Sequence, residues 1–306
     1  MILKIFISIF ILISVITPKV FAKDKTPQLE SDQQINDFSL AGYGEKGKKT
    51  WEIAGKSADI FDNLIKLKDV TGNLYGEQEQ IKLTADQGDF DKTEGKVHLE
   101  QNVVITTSSG AKLTTDSLDW DRKKQIVATE DAVNITRENM VTTAKGALGE
   151  PNLNKVVLQK EVKVDINPTD PATEDQGKTM TVKDKIVITC DGPLEIDYTK
   201  NIATFKNNVK VETKDNVMYS DIMDVYFLTS DKDNKESSEK TKDAPLMTGT
   251  KIDKIVARGN VKIVRGENVS YSEEAVYTAL DKKIVLSGRP RLIIYSTEGL
   301  NASSGN

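Results

Sequence analysis

Cys190 is the only cysteine in the chain and has no second thiol to pair with, so an internal disulfide is excluded. His98 is the only histidine, and one Cys with one His makes no zinc site of the ordinary kind. His98 falls between Val97 and Leu99 in an alternating stretch and so faces away from them. It lacks the context of a nucleophile elbow, and no Ser–His–Asp chemistry is expected from it. Cys190 reads as a small apolar residue at a strand end. A basic block is missing too: 42 basic residues stand against 47 acidic ones, a net charge of −5, which argues against nucleic acid as a partner.

Helical periodicity is nearly absent. Residues 273–280 carry the one helix-like pattern, and the repeat described below predicts a strand there. Without crossover helices a parallel α/β sheet is ruled out. Nucleotide and metal motifs are lacking as well. Gly42, Gly47 and Lys48 mimic a phosphate loop, but Lys49 follows and strands flank the segment, so a hairpin turn is expected. Residues 86–95 carry acidic spacing like that of a calcium loop. Counted from Asp89, however, Glu94 stands where the sharp bend needs glycine, and Val97 and Leu99 continue as a strand. No metal, no cofactor and no enzymatic activity are expected.

One long apolar run exists, Ile5 to Ile16, between Lys4 and Pro18. With Val20-Phe21-Ala22 after it, residues 1–22 read as a secretory signal peptide cut after Ala22. The run is shorter than the ~20 residues that span a bilayer, an uncleaved anchor being the alternative. A periplasmic location follows. Residues 23–34 read as a flexible lead-in.

What the chain has in abundance is period-two alternation: Val97 and Leu99, Val103 and Ile105, Leu118 and Trp120, Val133 and Ile135, Val162 and Val164. A longer period overlies it. Val103, Val133 and Val162 open similar units, spaced by 30 and 29 residues. Such a period predicts a stacked β architecture. A turn also recurs, with an aromatic residue, then charged residues, then an apolar strand. It stands at Phe90-Asp91-Lys92, Trp120-Asp121-Arg122, Tyr198-Thr199-Lys200 and Tyr277 onward. Repetition favours architecture over catalysis. Residues 167–178 hold two prolines and no large apolar residue and read as a linker; residues 229–250 read as a mobile, solvated insertion. The expected organisation is one β module over 35–166, a second over 179–297, and a tail over 298–306.

At this point the residues resemble a known family. Gln101-Asn102-Val103-Val104-Ile105, then Gly110-Ala111-Lys112-Leu113 and Asp116-Ser117-Leu118-Asp119-Trp120, are similar to the periplasmic lipopolysaccharide-transport proteins. Asn207-Asn208-Val209-Lys210-Val211 and Gly259-Asn260-Val261-Lys262-Ile263 repeat the pattern. Phe38 to Trp51, followed by Ala58, resembles the opening of an LptC domain; the second half resembles the OstA/LptA-like domain. The resemblance implies an all-β, elongated, open β-jellyroll of two facing antiparallel sheets. It implies a bridge protein that carries lipopolysaccharide, or a related lipid, from inner to outer membrane in an apolar groove. Its partners would be an inner-membrane ABC transporter complex and an outer-membrane translocon or further bridge subunits.

The alternating residues are the groove candidates: Leu83, Phe90, Val97, Leu99, Val103, Ile105, Leu113, Leu118, Trp120, Val133, Ile135, Val182, Ile188, Ile196, Tyr198, Phe205, Val209, Val211, Val261 and Ile263. Phe38, Leu40, Leu292 and Ile294 are candidates for edge-strand assembly, including end-to-end self-association. The competing expectation is a structural or adhesive secreted β-solenoid whose apolar rows close on each other as a dry core.

Overall fold

The computed structural model describes residues 33–44, 47–76, 80–150, 153–168, 184–227, 252–281 and 283–295. They form seventeen strands: β1 Gln33–Tyr43, β2 Lys49–Ile60, β3 Leu64–Tyr75, β4 Gln80–Asp91, β5 Lys96–Thr107, β6 Lys112–Asp121, β7 Ile126–Arg137, β8 Met140–Glu150, β9 Lys155–Ile166, β10 Ile186–Cys190, β11 Leu194–Asp197, β12 Ile202–Glu212, β13 Asn216–Phe227, β14 Ile252–Arg265, β15 Asn268–Thr278, β16 Lys283–Ser287 and β17 Arg291–Ile293. No helix interrupts them among the described residues. Of residues 273–280, 273–278 fall within β15, as the repeat requires, and 279–280 form the turn after it.

Each strand pairs antiparallel with the next in sequence, from β1–β2 to β8–β9 and from β12–β13 to β14–β15. The collinear pieces β10 and β11 both pair with β9 and with β12, so the ladder continues through them. Both β16 and β17 pair with β15 and close the far end. The result is an elongated antiparallel β-jellyroll. Fifteen strand positions at ~4.8 Å spacing give a body about 70 Å long.

Most strands run to eleven or twelve residues and bend near the middle. The bends of β5, β12 and β14 are bulges where two successive residues take positive φ: Gln101 and Asn102 (64° and 54°), Asn207 and Asn208 (65° and 53°), Gly259 and Asn260 (75° and 48°). Asn and Gly tolerate that left-handed region best, which is the physical content of the Asn-Val motif in the sequence. A bend need not break a strand. After a turn at 61–63, β3 runs from Leu64 to Tyr75 as one strand that bends at Asp69 (φ 50°).

Each bend divides the sheet into two walls. Side chains from both walls meet in shared clusters, one around Leu83, Val97, Leu99 and Val103, another around Leu158, Val162, Phe205 and Val209, and a small third around Ala257 and Val261. The first two adjoin at β6 and β7, where Thr115 and Thr129 are buried with their hydroxyls 3.4 Å apart. Beyond that point the second cluster runs from Val133 to Val225, and β9 pairs directly with β10 and β11. The expected signal peptide, residues 23–32 of the lead-in, residues 169–178 of the linker, the insertion 229–250 and the tail 298–306 lie outside the described residues.

Candidate functional site

The inner face is built row by row. On one wall, directly opposed residues run Leu40, Ile53, Gly72, Leu83, Ile105, Leu113, Ile135, Thr142, Val164, Ile188, Val211, Met218, Ile263, Ser270 and Leu292. The row crosses every ladder position from β1 to β17. On the other wall the row runs Ile60, Ile65, Phe90, Val97, Trp120, Val127, Gly149, Val156, Ile196, Ala203, Val225, Ile255, Tyr277 and Ile284.

Two further inward residues per strand flank the bend. In every second strand they are spaced by four: Leu99 and Val103, Leu158 and Val162, Phe205 and Val209, Ala257 and Val261, all 5% exposed or less. Thr129 and Val133 occupy the same places in β7. The valines that opened the long sequence repeat are therefore the residues just past each bend. Room is made for them locally. A Cβ on Gly88 would come 2.8 Å from Leu99 Cδ2.

In several strands burial falls away from the bend, while Leu83, Thr142, Val164 and Ile188 on the first row stay buried. Val103 is fully buried, while Ile105, two residues outward, is only half-buried, as are Leu113, Ile135, Val211 and Ile263 on the same row. On the opposite row Phe90, Trp120 and Ile196 are half-buried, and Val97 is buried. Among the other candidates Leu83, Leu99, Leu118, Val133, Ile188, Phe205, Val209 and Val261 are buried. These positions thus share one inner face. Tyr198 does not lie on a row. It sits in the turn after β11, one place past Asp197, where Lys92 and Arg122 stand in the other repeats, and its backbone N–H donates to Asn154 O at 3.0 Å. Val182 lies outside the described residues.

The recurring turns at the rim are capped by aspartate. Asp91 Oδ1 accepts from the backbone N–H of Thr93 and Glu94, both at 2.8 Å, and Asp121 Oδ1 from Lys123 and Lys124 at 3.0 and 2.9 Å. The Lys124 N–H is the main reason the Asp121 carboxyl is held below its ordinary pKa. Lysines stitch successive turns together. Lys92 Nζ donates to Phe61 O and Lys123 Nζ to Thr93 O, each at 3.0 Å.

Many outward residues are polar. His98 Nδ1 lies 2.8 Å from Asp119 Oδ1 on the outer face. Cys190 is buried at the end of β10, and desolvation pushes its thiol pKa up. Among the described residues no group of three or more His, Cys, Asp or Glu is placed to hold a metal ion.

At the ends, Leu40 in β1 and Leu292 in β17 are exposed, together with Ile35, Ile284, Ile293 and Ile294. Phe38 differs. It is half-buried against the first cluster. Sequence reasoning missed Leu158, Met218, Met223 and Val225, which the register places among the inward residues.

With this geometry in view, residues 1–167 match the family described as lipopolysaccharide-assembly, LptC-related. That span is more than half of the chain. The chain belongs to the LptC-related family. Residues 192–306 match the family described as LptA/(LptD N-terminal domain) LPS transport protein, so an LptC-like half is followed by an LptA-like half. No curated protein matches the sequence. Both families serve lipopolysaccharide transport across the periplasm and work within a multi-protein assembly, and this LptC-related chain joins their two modules in one sheet. No helix among its described residues is long and apolar enough to cross a membrane.

Proposed function

We propose that the protein is a periplasmic bridge component that holds the acyl chains of lipopolysaccharide between its two walls and passes the lipid from inner to outer membrane. One observation carries the reading: the inward row continues without a break from Leu40 to Leu292, and Ile105, Leu113, Ile135, Val211 and Ile263 on it are half-exposed where the residues beside the bend are buried. A trough with a dry base and an accessible mouth accounts for that gradient. A C12–C14 chain gains on the order of 10 kcal/mol on burial, enough to hold a lipid while its sugars stay in water. Equivalent positions along the row let the lipid slide without a large barrier. They supply no direction, so the driving force comes from the inner-membrane ABC transporter complex, and an outer-membrane translocon or further bridge subunits receive the lipid. The protein acts as a carrier, not an enzyme.

The leader, residues 1–22, delivers the chain to the periplasm. The modules 35–166 and 179–297 form one conduit. Its ends, at β1 and at β16 with β17, present unpaired backbone flanked by exposed apolar side chains, and they join neighbouring subunits by strand addition.

A closed β-solenoid core is the second reading. It is favoured by the contact of both walls within one cluster, against which Ile53 of β2 and Trp120 of β6 both pack. Depletion in cells separates the two. The transport reading expects lipopolysaccharide to accumulate at the inner membrane, and normal delivery to the surface would contradict it.

A further inference from the structure

Both tryptophans of the chain, Trp51 and Trp120, lie against one cation. The Arg122 guanidinium is 4.7 Å from the centre of the Trp51 ring, 5.5 Å from Phe90 and 6.0 Å from Trp120. These rings come from opposite walls. Phe90 and Trp120 belong to the row that contains Val97. Trp51 sits two residues outward of Ile53, at the rim of the wall that carries Ile105. Its indole lies across Gly42, where a Cβ would come 2.1 Å from Trp51 Nε1. Arg122 therefore spans the mouth between the walls.

Its charge is not neutralised there. The neighbouring Asp121 directs Oδ1 to the backbone N–H of Lys123 and Lys124 and Oδ2 toward Lys124 Nζ at 3.7 Å. Among the described residues no carboxylate pairs with Arg122. The cations beside it, Lys92 and Lys123, donate to turn carbonyls and add positive charge to the same rim. A guanidinium held by rings and not by a carboxylate keeps N–H groups available, and its planar fork matches the paired oxygens of a phosphate.

We propose that Arg122 is the recognition group for a phosphate on the head of the amphiphile whose chains lie in the trough. The inference rests on the trough reading and adds a specificity to it. Chains buried along the inner rows place the polar head at the rim. There the N–H edge of the guanidinium takes the phosphate while the rings hold its face.

Phosphorylated lipid A, the same lipid stripped of its phosphates, and inorganic phosphate are each titrated into the purified chain. Binding is followed by co-sedimentation, and tryptophan emission reports on the rings at Arg122. The wild type is expected to bind the phosphorylated lipid about tenfold more tightly than the stripped one, as one lost charge-assisted contact predicts. The two lipids should give different emission spectra, and inorganic phosphate should give no change. Arg122→Gln should bind both lipids equally, at the wild-type affinity for the stripped form. Arg122→Lys keeps the charge without the planar fork, should keep only part of the preference, and carries the comparison if Arg122→Gln fails to fold.

Equal binding of both lipids by wild type and variant overturns the inference and leaves the trough reading standing. An inorganic-phosphate response equal to that of the phosphorylated lipid overturns the assignment to a lipid head. Binding of neither lipid removes the trough reading and this inference together.

Discussion

Asn102 Nδ2 donates to Asp86 Oδ2 at 2.6 Å, clasping the bend of β5 to the bend of β4. The same clasp joins Asn208 to Asp191 at 2.5 Å and Asn260 to Asp221 at 2.9 Å. Each of these asparagines also holds positive φ. One residue type thus serves two needs, a backbone conformation that most side chains resist and a polar tie to the preceding strand. The bend creates two walls from one sheet, so the inner face depends on it.

Asn102→Ala leaves a Cβ in the left-handed region and removes the clasp. The expected loss of stability is about 1–2 kcal/mol. Asn102→Gly removes the clasp but adopts the conformation freely, and about 0.5 kcal/mol is expected. Urea unfolding of the two variants measures the difference, and equal losses would show that backbone conformation plays no part.

Residues at the base and at the rim of the inner face should respond differently to truncation. Leu99 is 1% exposed, and Leu99→Ala should cost about 2–5 kcal/mol. Ile263 is half-buried, so Ile263→Ala should cost roughly 1 kcal/mol, in line with the smaller area it buries. Thermal and urea unfolding give both values. Similar losses at the two sites would place the rim inside a closed core.

The exposed end strand should govern association. Leu292 and Ile294 are 62% and 65% exposed, so Leu292→Lys with Ile294→Lys should leave the unfolding midpoint nearly unchanged. Charge on an edge strand opposes pairing with another chain. Sedimentation velocity is expected to show loss of end-to-end species in the double variant. Oligomers that persist unchanged would move the contact elsewhere.

The junction of the two halves carries an acid-sensitive tie. Asp165 in β9 lies 2.8 Å from Lys163 Nζ and 2.9 Å from Lys185 Nζ, just ahead of β10. The hydrogen bond from Lys163, and then that from Lys185, hold its carboxyl below the ordinary value. A carboxyl depressed in the folded state stabilises above its unfolded pKa and loses that contribution as pH falls through the folded one. The loss therefore belongs to the range below about pH 4. Asp165→Asn should lower stability at neutral pH and flatten this part of the acid limb. Unfolding curves between pH 2 and 7 check it.

Much of this was legible in the residues. Alternation gave the inward positions because a strand's period is two, and the spacing of Val103, Val133 and Val162 marked the residues just past successive bends. Four things were not legible. The bend of β3 at Asp69 left no mark in the pattern, because a left-handed residue bends a strand without changing its alternation. Tyr198 looked equivalent to Trp120, but Asp197 precedes it where Asp121 follows Trp120, and the row residue is Ile196. The meeting of Trp51 with Arg122 joins strands four places apart in the sheet, a contact set by twist and bend and not by any local pattern. The methionines Met218 and Met223 were missed for a similar reason, since their facing partners Ile263 and Ala257 are fixed only by register.

The most direct measurement places a photo-crosslinking residue at Ile105 or Ile263 on the inner row, and at the adjacent outward positions Val104 or Lys262, in living cells. Lipopolysaccharide adducts are expected at Ile105 and Ile263 and not at Val104 or Lys262. Adducts at neither inner position, or equal yields on both faces, would contradict a lipid path between the walls.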